Sequence, residues 1–244
     1  MIDYIGETLH EHDRFTIALT GGSTPKNLYS LLASDEFKNR IDWSRLHIFW
    51  GDERYVPFTD DRNNAKMSFD SLLDHVPVPK SQIHPMRTDI DAEQSAKEYE
   101  KILDGYFSEA ASYMLQASGS GPGMPLITDY PSLTTFDLVL LGLGGNAHTL
   151  SLFPGEVMIH EKKRWVISYF VKEVNMVRIT LTAPFVNLSR RIAFLVSGQN
   201  KADAVSHVIL NDYAPDLYPA QLIKPANGEL YWFLDEAAAM RLEK

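Results

Sequence analysis

FDLVLLGLGGNAHTLSLFPG, residues 136–155, indicates both the fold class and the position of a reactive group. Its apolar run LVLL (138–141) is typical of a strand that is buried on both faces. The run ends in a Gly-rich turn, and His148 follows just beyond it. Ligands of open α/β sheets bind at the carboxyl ends of the strands, where an imidazole can accept a proton near neutral pH. The alternative is a histidine that only hydrogen-bonds to backbone.

Strand-like and helix-like segments alternate along the rest of the chain. The strand-like runs are FTIALT (15–20), LHIFW (46–50), FDLVLLGL (136–143), RIAFLVSG (191–198) and LYWFL (230–234). Apolar residues at helical spacing extend from 92 to 115, and their aromatic side chains are predicted to be core. This alternation predicts one α/β domain over 1–244, with a mainly parallel sheet that is covered on both faces.

Two segments depart from this alternation. WVISYF (165–170) and VRITLT (177–182) lie close together and predict an irregular or antiparallel addition to the sheet. The stretch 117–132 is rich in Gly, Pro and Ser and has no periodicity, so it is predicted to be a loop within the domain. The N-terminal 15 residues are charged and helix-like, which predicts no signal peptide. The first strand begins only near Thr16, which is compatible with a chain that starts inside a domain.

The composition limits the possible partners. The 244 residues are 45% hydrophobic and 23% charged, as in ordinary soluble proteins, and no run approaches the roughly eighteen apolar residues of a membrane span. The net charge of −9 argues against general nucleic-acid binding, which needs a basic face. With no cysteine, disulfides, thiolate catalysis and cysteine-ligated zinc are excluded. We therefore expect a cytoplasmic protein with no nucleic-acid or membrane partner.

A second strand end carries a possible phosphate-binding turn. TIALTGGSTPKNLY (16–29) passes from a strand through Gly21 and Gly22 to Ser23 and Thr24, which are natural N-cap residues, and a proline follows. The amides at such a helix start attract phosphate. The spacing matches neither the nucleotide-binding P-loop nor the dinucleotide fingerprint. A plain tight turn is the alternative.

Other strand ends provide charged side chains. Asp52 and Arg54 follow LHIFW, and Arg54 suits bidentate binding of phosphate while Asp52 can accept from sugar hydroxyls. Lys201 begins a helix, where its charge opposes the helix dipole and indicates a nearby anion. Arg178 in VRIT is a further basic candidate. Solvated surface charge is the alternative for each, and no carboxylates are spaced as metal ligands, so no metal is expected.

Taken together, these segments resemble the 6-phosphogluconolactonase family within the glucosamine-6-phosphate deaminase-like superfamily. The resemblance rests on ALTGGSTPKNLY (18–29), WGDERYVP (50–57), RNNAKM (62–67), LGLGGNAHTLSLFPG (141–155), RITLT (178–182), FLVSGQNKADAV (194–205) and YPAQLIKPANGELYWFLDEAA (218–238). It implies a three-layer α/β/α sandwich with a Rossmann-like sheet. It also implies hydrolysis of 6-phospho-D-glucono-1,5-lactone to 6-phosphogluconate, in the oxidative pentose phosphate pathway, without metal or organic cofactor.

The resemblance also implies a role for particular residues. Those expected around the substrate phosphate are Gly21, Gly22, Ser23, Thr24, Arg54, Arg178 and Lys201. His148 matches the family's catalytic histidine, but the family usually reads Asp-Gly-His where this chain has Asn146, Ala147 and His148. Asn146 keeps the shape of the aspartate and loses its charge, and Ala147 lacks the freedom of glycine to adopt positive φ.

These residues suggest general-base hydrolysis. Neutral His148 would take a proton from water that attacks the lactone carbonyl, and amides of Gly144 and Gly145 would stabilise the oxyanion. Two alternatives stay open: an aminosugar-phosphate isomerase/deaminase, and a non-catalytic sugar-phosphate-binding protein that has lost the charge at Asn146. We expect a monomer or a small homo-oligomer.

Overall fold

The five predicted strand-like runs form one parallel sheet in the computed structural model, which describes residues 1–118 and 134–242. The strands of this part are β1 (Phe15–Leu19), β2 (Leu46–Trp50), β3 (Asp52–Arg54), β4 (Leu138–Leu141), β5 (Val166–Val171), β6 (Met176–Leu181), β7 (Arg191–Val196) and β8 (Glu229–Leu234). Its α-helices are α1 (Ile2–Glu11), α2 (Ser23–Leu32), α3 (Asn64–Ser68), α4 (Ala92–Ser118), α5 (Ala183–Val186), α6 (Ala202–Leu210) and α7 (Glu236–Ala239).

The order of the parallel sheet places a crevice between two particular strands. The order is β2-β1-β4-β7-β8. The chain therefore passes from β1 to β2 on one side of the sheet, and from β4 to β7 on the other side. Such a reversal opens a gap at the carboxyl ends of the two central strands, where α/β proteins bind ligands. Here the gap lies between the loop after β1 and the Gly-rich turn after β4.

Alternate residues of the central strands enter two different cores. On β4, Leu138 and Leu140 pack with the side chains of α1 and α2. Val139 and Leu141 point the other way, into the core that contains Tyr99 of α4. Burial on both faces explains why this strand is apolar throughout. The predicted α/β fold with a mainly parallel, helix-flanked sheet is thus confirmed.

A second, smaller sheet lies beside the first and confirms the predicted antiparallel addition. Its order is β3-β6-β5, and both pairings are antiparallel. Gly51 joins the two sheets: its N–H donates to Leu19 O of β1, and its carbonyl accepts from the N–H of Leu181 in β6. The chain therefore leaves the parallel sheet and directly enters the antiparallel one, which brings β3 and β6 to the crevice.

The longest helix confirms the predicted core aromatics. Tyr99, Leu103 and Phe107 of α4 are buried, and the helix kinks at Phe107, where φ is −133° and ψ is 38°. Of the predicted loop 117–132, residues 117–118 are helical and the remainder lies outside the described residues. No helix in the described part of the chain is long and apolar enough to cross a membrane.

Candidate active site

A cavity of about 230 Å³ occupies the crevice at the carboxyl ends of β1 and β4. Its lining combines both sheets and the start of α6. The lining residues are Thr20, Gly21, Gly22, Asp52, Arg54, Asn64, Gly142, Leu143, Gly144, His148, Leu150, Ser151, Phe153, Arg178 and Lys201. Four residues predicted for the site do not line it: Ser23, Thr24, Gly145 and Asn146.

The turn after β1 differs from the sequence-based expectation. Helix α2 begins at Ser23, its N-cap is Gly22, and no side chain caps it, so the prediction of a Ser or Thr cap is wrong. Gly22 adopts φ 113° and ψ 167°, a conformation that L side chains rarely reach, which explains a glycine here. Ser23 is exposed, and the Thr24 hydroxyl bonds to Ser197 Oγ at 2.7 Å.

Gly21 is required by close packing against a residue that the sequence analysis did not single out. A Cβ at position 21 would lie 1.9 Å from Asn64 Oδ1. Asn64 is buried, and its Nδ2 donates to Asp52 O at 2.9 Å. Asn64 thus holds the loops after β1 and β2 together. In the sequence, Asn64 is noted only as a member of RNNAKM (62–67), one of the segments on which the family resemblance rests.

A buried carboxylate, also missed, fixes the position of Asn64. Glu53 is fully buried, and its oxygens accept the backbone N–H groups of Arg54, Asn64 and Ala65 at 2.7–2.8 Å. Two of these donors belong to the first residues of α3, so Glu53 anchors the start of that helix. Burial raises the pKa of Glu53 to about 7, although its hydrogen bonds act in the opposite direction.

The cavity carries a cluster of positive charge. Arg54 on β3 and Arg178 on β6 are directly paired across the antiparallel ladder, and Arg178 is only 8% exposed. The Nε atoms of both arginines are buried and have no hydrogen-bond acceptor within the described part of the chain. Lys201 stands at the N-cap of α6, as predicted, and burial lowers its pKa. Unpaired donors and like charges side by side indicate a site for an anion.

One carboxylate also lines this cavity. Asp52 is buried and accepts a hydrogen bond from Ser151 Oγ at 2.7 Å. Ser151 in turn lies in the segment after the Gly-rich turn, so this bond ties the two sides of the crevice together. The carboxylate also acts on Arg178, where its charge opposes the lowering of the arginine pKa by burial.

His148 faces the same cavity and is half-buried. Its ring stacks on Phe153 with the centroids 4.0 Å apart, and its Nδ1 lies 2.6 Å from Asn146 Oδ1. Burial lowers the pKa of His148 to about 3, and nearby positive charges act in the same direction. Those charges belong to Arg178, Lys201 and Arg54. The imidazole is therefore neutral at physiological pH, and the structure brings it together with the predicted cations.

The Gly-rich turn holds the imidazole through its backbone. Gly144 N–H donates to His148 O at 2.8 Å, and Ala147 N–H donates to Gly144 O at 3.0 Å. A Cβ at position 144 would lie 2.0 Å from His148 Nδ1. The Gly144 amide is already used within the turn, so this geometry does not support its predicted role at an oxyanion. Gly144 is needed because the imidazole occupies the space of a side chain.

The backbone at position 147 shows what the Gly-rich turn demands. Ala147 adopts φ 63° and is buried, so this alanine takes the left-handed conformation that glycine adopts without strain. Leu150, which lines the cavity, also has positive φ, at 53°. A Cβ at Gly51 would lie 2.7 Å from Leu150 Cδ2, so Leu150 packs over the junction between the two sheets.

The donor set suits an anion better than a metal cation. In the described residues no group of three or more His, Asp or Glu side chains is arranged to hold a metal ion. Three of the polar side chains that face the cavity are cationic, and a metal ion would be repelled by them. A phosphate group carries the charge and the acceptor oxygens that these side chains lack.

Comparison with known proteins gives the family of the chain. A sequence model of glucosamine-6-phosphate isomerases/6-phosphogluconolactonase matches residues 1–232. The 6-phosphogluconolactonase of Synechocystis sp. is 37% identical over 98% of this chain and 89% of the relative, and that of Nostoc sp. is 38% identical over 96% and 87%. The structure of 6-phosphogluconolactonase from Trypanosoma brucei matches with a TM-score of 0.78 at 27% identity, covering 99% of this chain and 91% of that chain. The resemblance seen in the sequence is confirmed: the chain belongs to the family of glucosamine-6-phosphate isomerases and 6-phosphogluconolactonases.

Proposed function

We propose that this protein hydrolyses 6-phospho-D-glucono-1,5-lactone to 6-phosphogluconate, the reaction for which its relatives are named. One observation carries the proposal: a neutral imidazole shares a single cavity with three cations, two of which have unpartnered buried donors within the described chain. The substrate has the matching chemistry, since an anionic phosphate lies at one end and an ester carbonyl at the other.

The cations bind the phosphate and thereby position the lactone. Arg54 and Arg178 offer their Nε–H groups, and Lys201 adds a third charge at the start of α6. Gly21 and Gly22 have no side chains, so the backbone of this turn can lie close to the phosphate. Binding energy from a group remote from the reaction can hold the carbonyl in a reactive orientation. Asp52 is proposed to accept from a sugar hydroxyl.

His148 acts as the general base in this proposal. Its Nδ1 carries the proton, because the Asn146 amide oxygen opposite it can only accept. Nε2 therefore holds the lone pair and can take a proton from the attacking water. The phosphate dianion would offset the local positive charge and raise the pKa of the imidazole above its value in the empty site. The imidazolium then donates to the ring oxygen as the C1–O bond breaks.

The oxyanion needs a hydrogen-bond donor near C1. Of the two predicted amides, that of Gly144 is occupied, whereas the exposed Gly145 makes no hydrogen bond through its amide within the described part of the chain. Gly145 does not line the cavity, so its role as the oxyanion donor stays a prediction from the sequence.

The cytoplasmic location and the monomeric or small oligomeric state also remain predictions from the sequence.

A coupled assay tests the activity. Freshly generated lactone is added to the protein, and appearance of 6-phosphogluconate is followed with the spontaneous hydrolysis subtracted. We expect enzymatic turnover that is lost in His148→Ala while 6-phosphogluconate still binds. Turnover of glucosamine 6-phosphate without lactone hydrolysis would instead identify an isomerase/deaminase. Binding of 6-phosphogluconate with no turnover of either substrate would identify a non-catalytic protein.

A further inference from the structure

The side chain that orients the imidazole has an outer partner of its own. Asn146 Oδ1 accepts from His148 Nδ1 at 2.6 Å and from the His148 backbone N–H at 3.1 Å. On its other side, Asn146 Nδ2 donates to Glu173 Oε1 at 2.7 Å. A chain of hydrogen bonds therefore runs from a carboxylate through an amide to the imidazole.

This chain fixes which way the amide faces. The backbone N–H of His148 can only donate and the Glu173 carboxylate can only accept, so the two together require oxygen toward the imidazole and nitrogen toward Glu173. A flipped amide would place two donors together on one side and two acceptors together on the other. Glu173 is thus one of the two groups that orient the Asn146 amide.

The orientation of the amide decides the tautomer of the imidazole. With oxygen toward the ring, Nδ1 must carry the proton and Nε2 keeps its lone pair. With the amide nitrogen toward the ring, Nδ1 would have to accept, and Nε2 would carry the proton. That second tautomer cannot take a proton from water at the cavity. An asparagine can face either way, whereas an aspartate accepts through both oxygens and has no such ambiguity.

We propose that Glu173 is a positioning residue that orients the Asn146 amide and thereby fixes the tautomer of His148. It lies in the turn between β5 and β6, where the Asn175 N–H donates to Lys172 O and Asn175 adopts φ 46°. The hairpin belongs to the small sheet that also carries Arg178 on β6. The same hairpin thus carries both a phosphate-binding cation and the outer acceptor of the Asn146–His148 pair. The inference rests on the proposed role of His148.

A double-mutant cycle tests this role through turnover. Glu173→Ala is expected to lower kcat by about ten- to a hundredfold, a part of the roughly 10²–10⁴-fold that a positioned general base contributes, with KM changed less than about twofold. The loss should disappear in the Asn146→Asp background, because an aspartate presents an acceptor oxygen to Nδ1 in either orientation and needs no outer partner to orient it. Lys172→Ala, an exposed neighbour on the same hairpin, is the matched control and should leave kcat unchanged.

The tautomer itself can be read without turnover. Imidazole ¹⁵N shifts should report a proton on Nδ1 of His148 in the unaltered protein and a mixture of tautomers in Glu173→Ala. The proposed role of Glu173 is overturned if Glu173→Ala leaves the tautomer and kcat unchanged. It is also overturned if Glu173→Ala lowers kcat by the same factor in the Asn146→Asp background. His148→Ala separates the two proposals, because full turnover in that variant contradicts the role of His148 as general base. The ¹⁵N shifts of His148, compared between the unaltered protein and Glu173→Ala, still decide whether Glu173 orients Asn146.

Discussion

Arg54 and Arg178 lie directly opposite each other on neighbouring antiparallel strands, with the Nε atom of each buried and without an acceptor in the described residues. Like charges in such cross-strand positions destabilise a sheet by about 0.2–1 kcal/mol. The fold therefore tolerates a local cost in the empty site, which a bound anion removes. The nearby Asp52 carboxylate attracts Arg178 and offsets this cost, so deleting one of the two positive charges should weaken anion binding with little change in stability.

Replacing Arg178 by Met tests this expectation. Methionine fills most of the buried volume without charge, so we expect KM to rise by tenfold or more, as when a charge-assisted contact of about 1.5–3 kcal/mol is lost. The free energy of unfolding should change by less than about 1 kcal/mol, because the repulsion from Arg54 and the attraction to Asp52 are lost together. Steady-state kinetics and denaturant unfolding measure the two quantities. Arg62→Met is the control, because the exposed Arg62 contacts Arg54 only through its backbone carbonyl. A clear loss of stability with unchanged KM would contradict the anion site.

Gly144→Ala should remove activity without unfolding the protein. The new Cβ would overlap His148 Nδ1, so the imidazole must leave its place between Asn146 and Phe153. A misplaced base is expected to lower kcat by about a hundredfold or more. The control is Gly6→Ala in the exposed face of α1, where nothing lies within 4 Å of the new Cβ. That variant should keep full activity and gain about 0.5–1 kcal/mol of stability. Near-normal kcat in Gly144→Ala would show that the imidazole can move without consequence.

The titration of His148 gives a prediction with a defined sign. Burial and then positive charges lower its pKa in the folded state from 6.5 to about 3, so the unfolded chain binds the proton first as the pH falls. The contribution of His148 to stability is present above pH 6.5 and is lost as the pH falls from 6.5 toward 3. NMR titration should show a neutral ring throughout most of this window. Lys201→Gln removes one of the charges and should raise the pKa of His148. An unchanged pKa in Lys201→Gln would place Lys201 outside the electrostatic reach of the imidazole.

Much of the site follows from the sequence because parallel strands end at one edge of a sheet. Once the runs at 15–20 and 138–141 are recognised as parallel strands, Gly21 and His148 must lie near each other, and the structure places both at one cavity. Arg178 was harder to assign from the sequence alone. Only the pairing of β6 with β3 shows that it faces Arg54 rather than solvent.

The residues that sequence reasoning missed act through packing or through contacts between distant segments. Glu53 looks like part of a charged loop, and only its full burial against the start of α3 reveals an anchor. Glu173 is separated from Asn146 by 27 residues, and the sequence does not give the register of the hairpin that brings them together. A Gly-rich turn is equally compatible with an amide that binds an oxyanion and with a close approach of a side chain. At Gly144 the second explanation holds.

Position 147 provides a test of how the Gly-rich turn tolerates an alanine at positive φ. Holding Ala147 at φ 63° costs on the order of 1 kcal/mol relative to glycine, while its buried methyl group contributes roughly 0.8 kcal/mol. These terms nearly cancel, so Ala147→Gly should change the free energy of unfolding by less than about 1 kcal/mol and leave kcat unchanged. Ala147→Val adds a β-branched side chain to the same left-handed backbone and should cost more than about 2 kcal/mol. Denaturant unfolding of both variants decides the matter. Equal stability of the two would mean that the turn relaxes away from positive φ, and the hydrogen bond between the Gly144 N–H and His148 O would then not be fixed by this geometry.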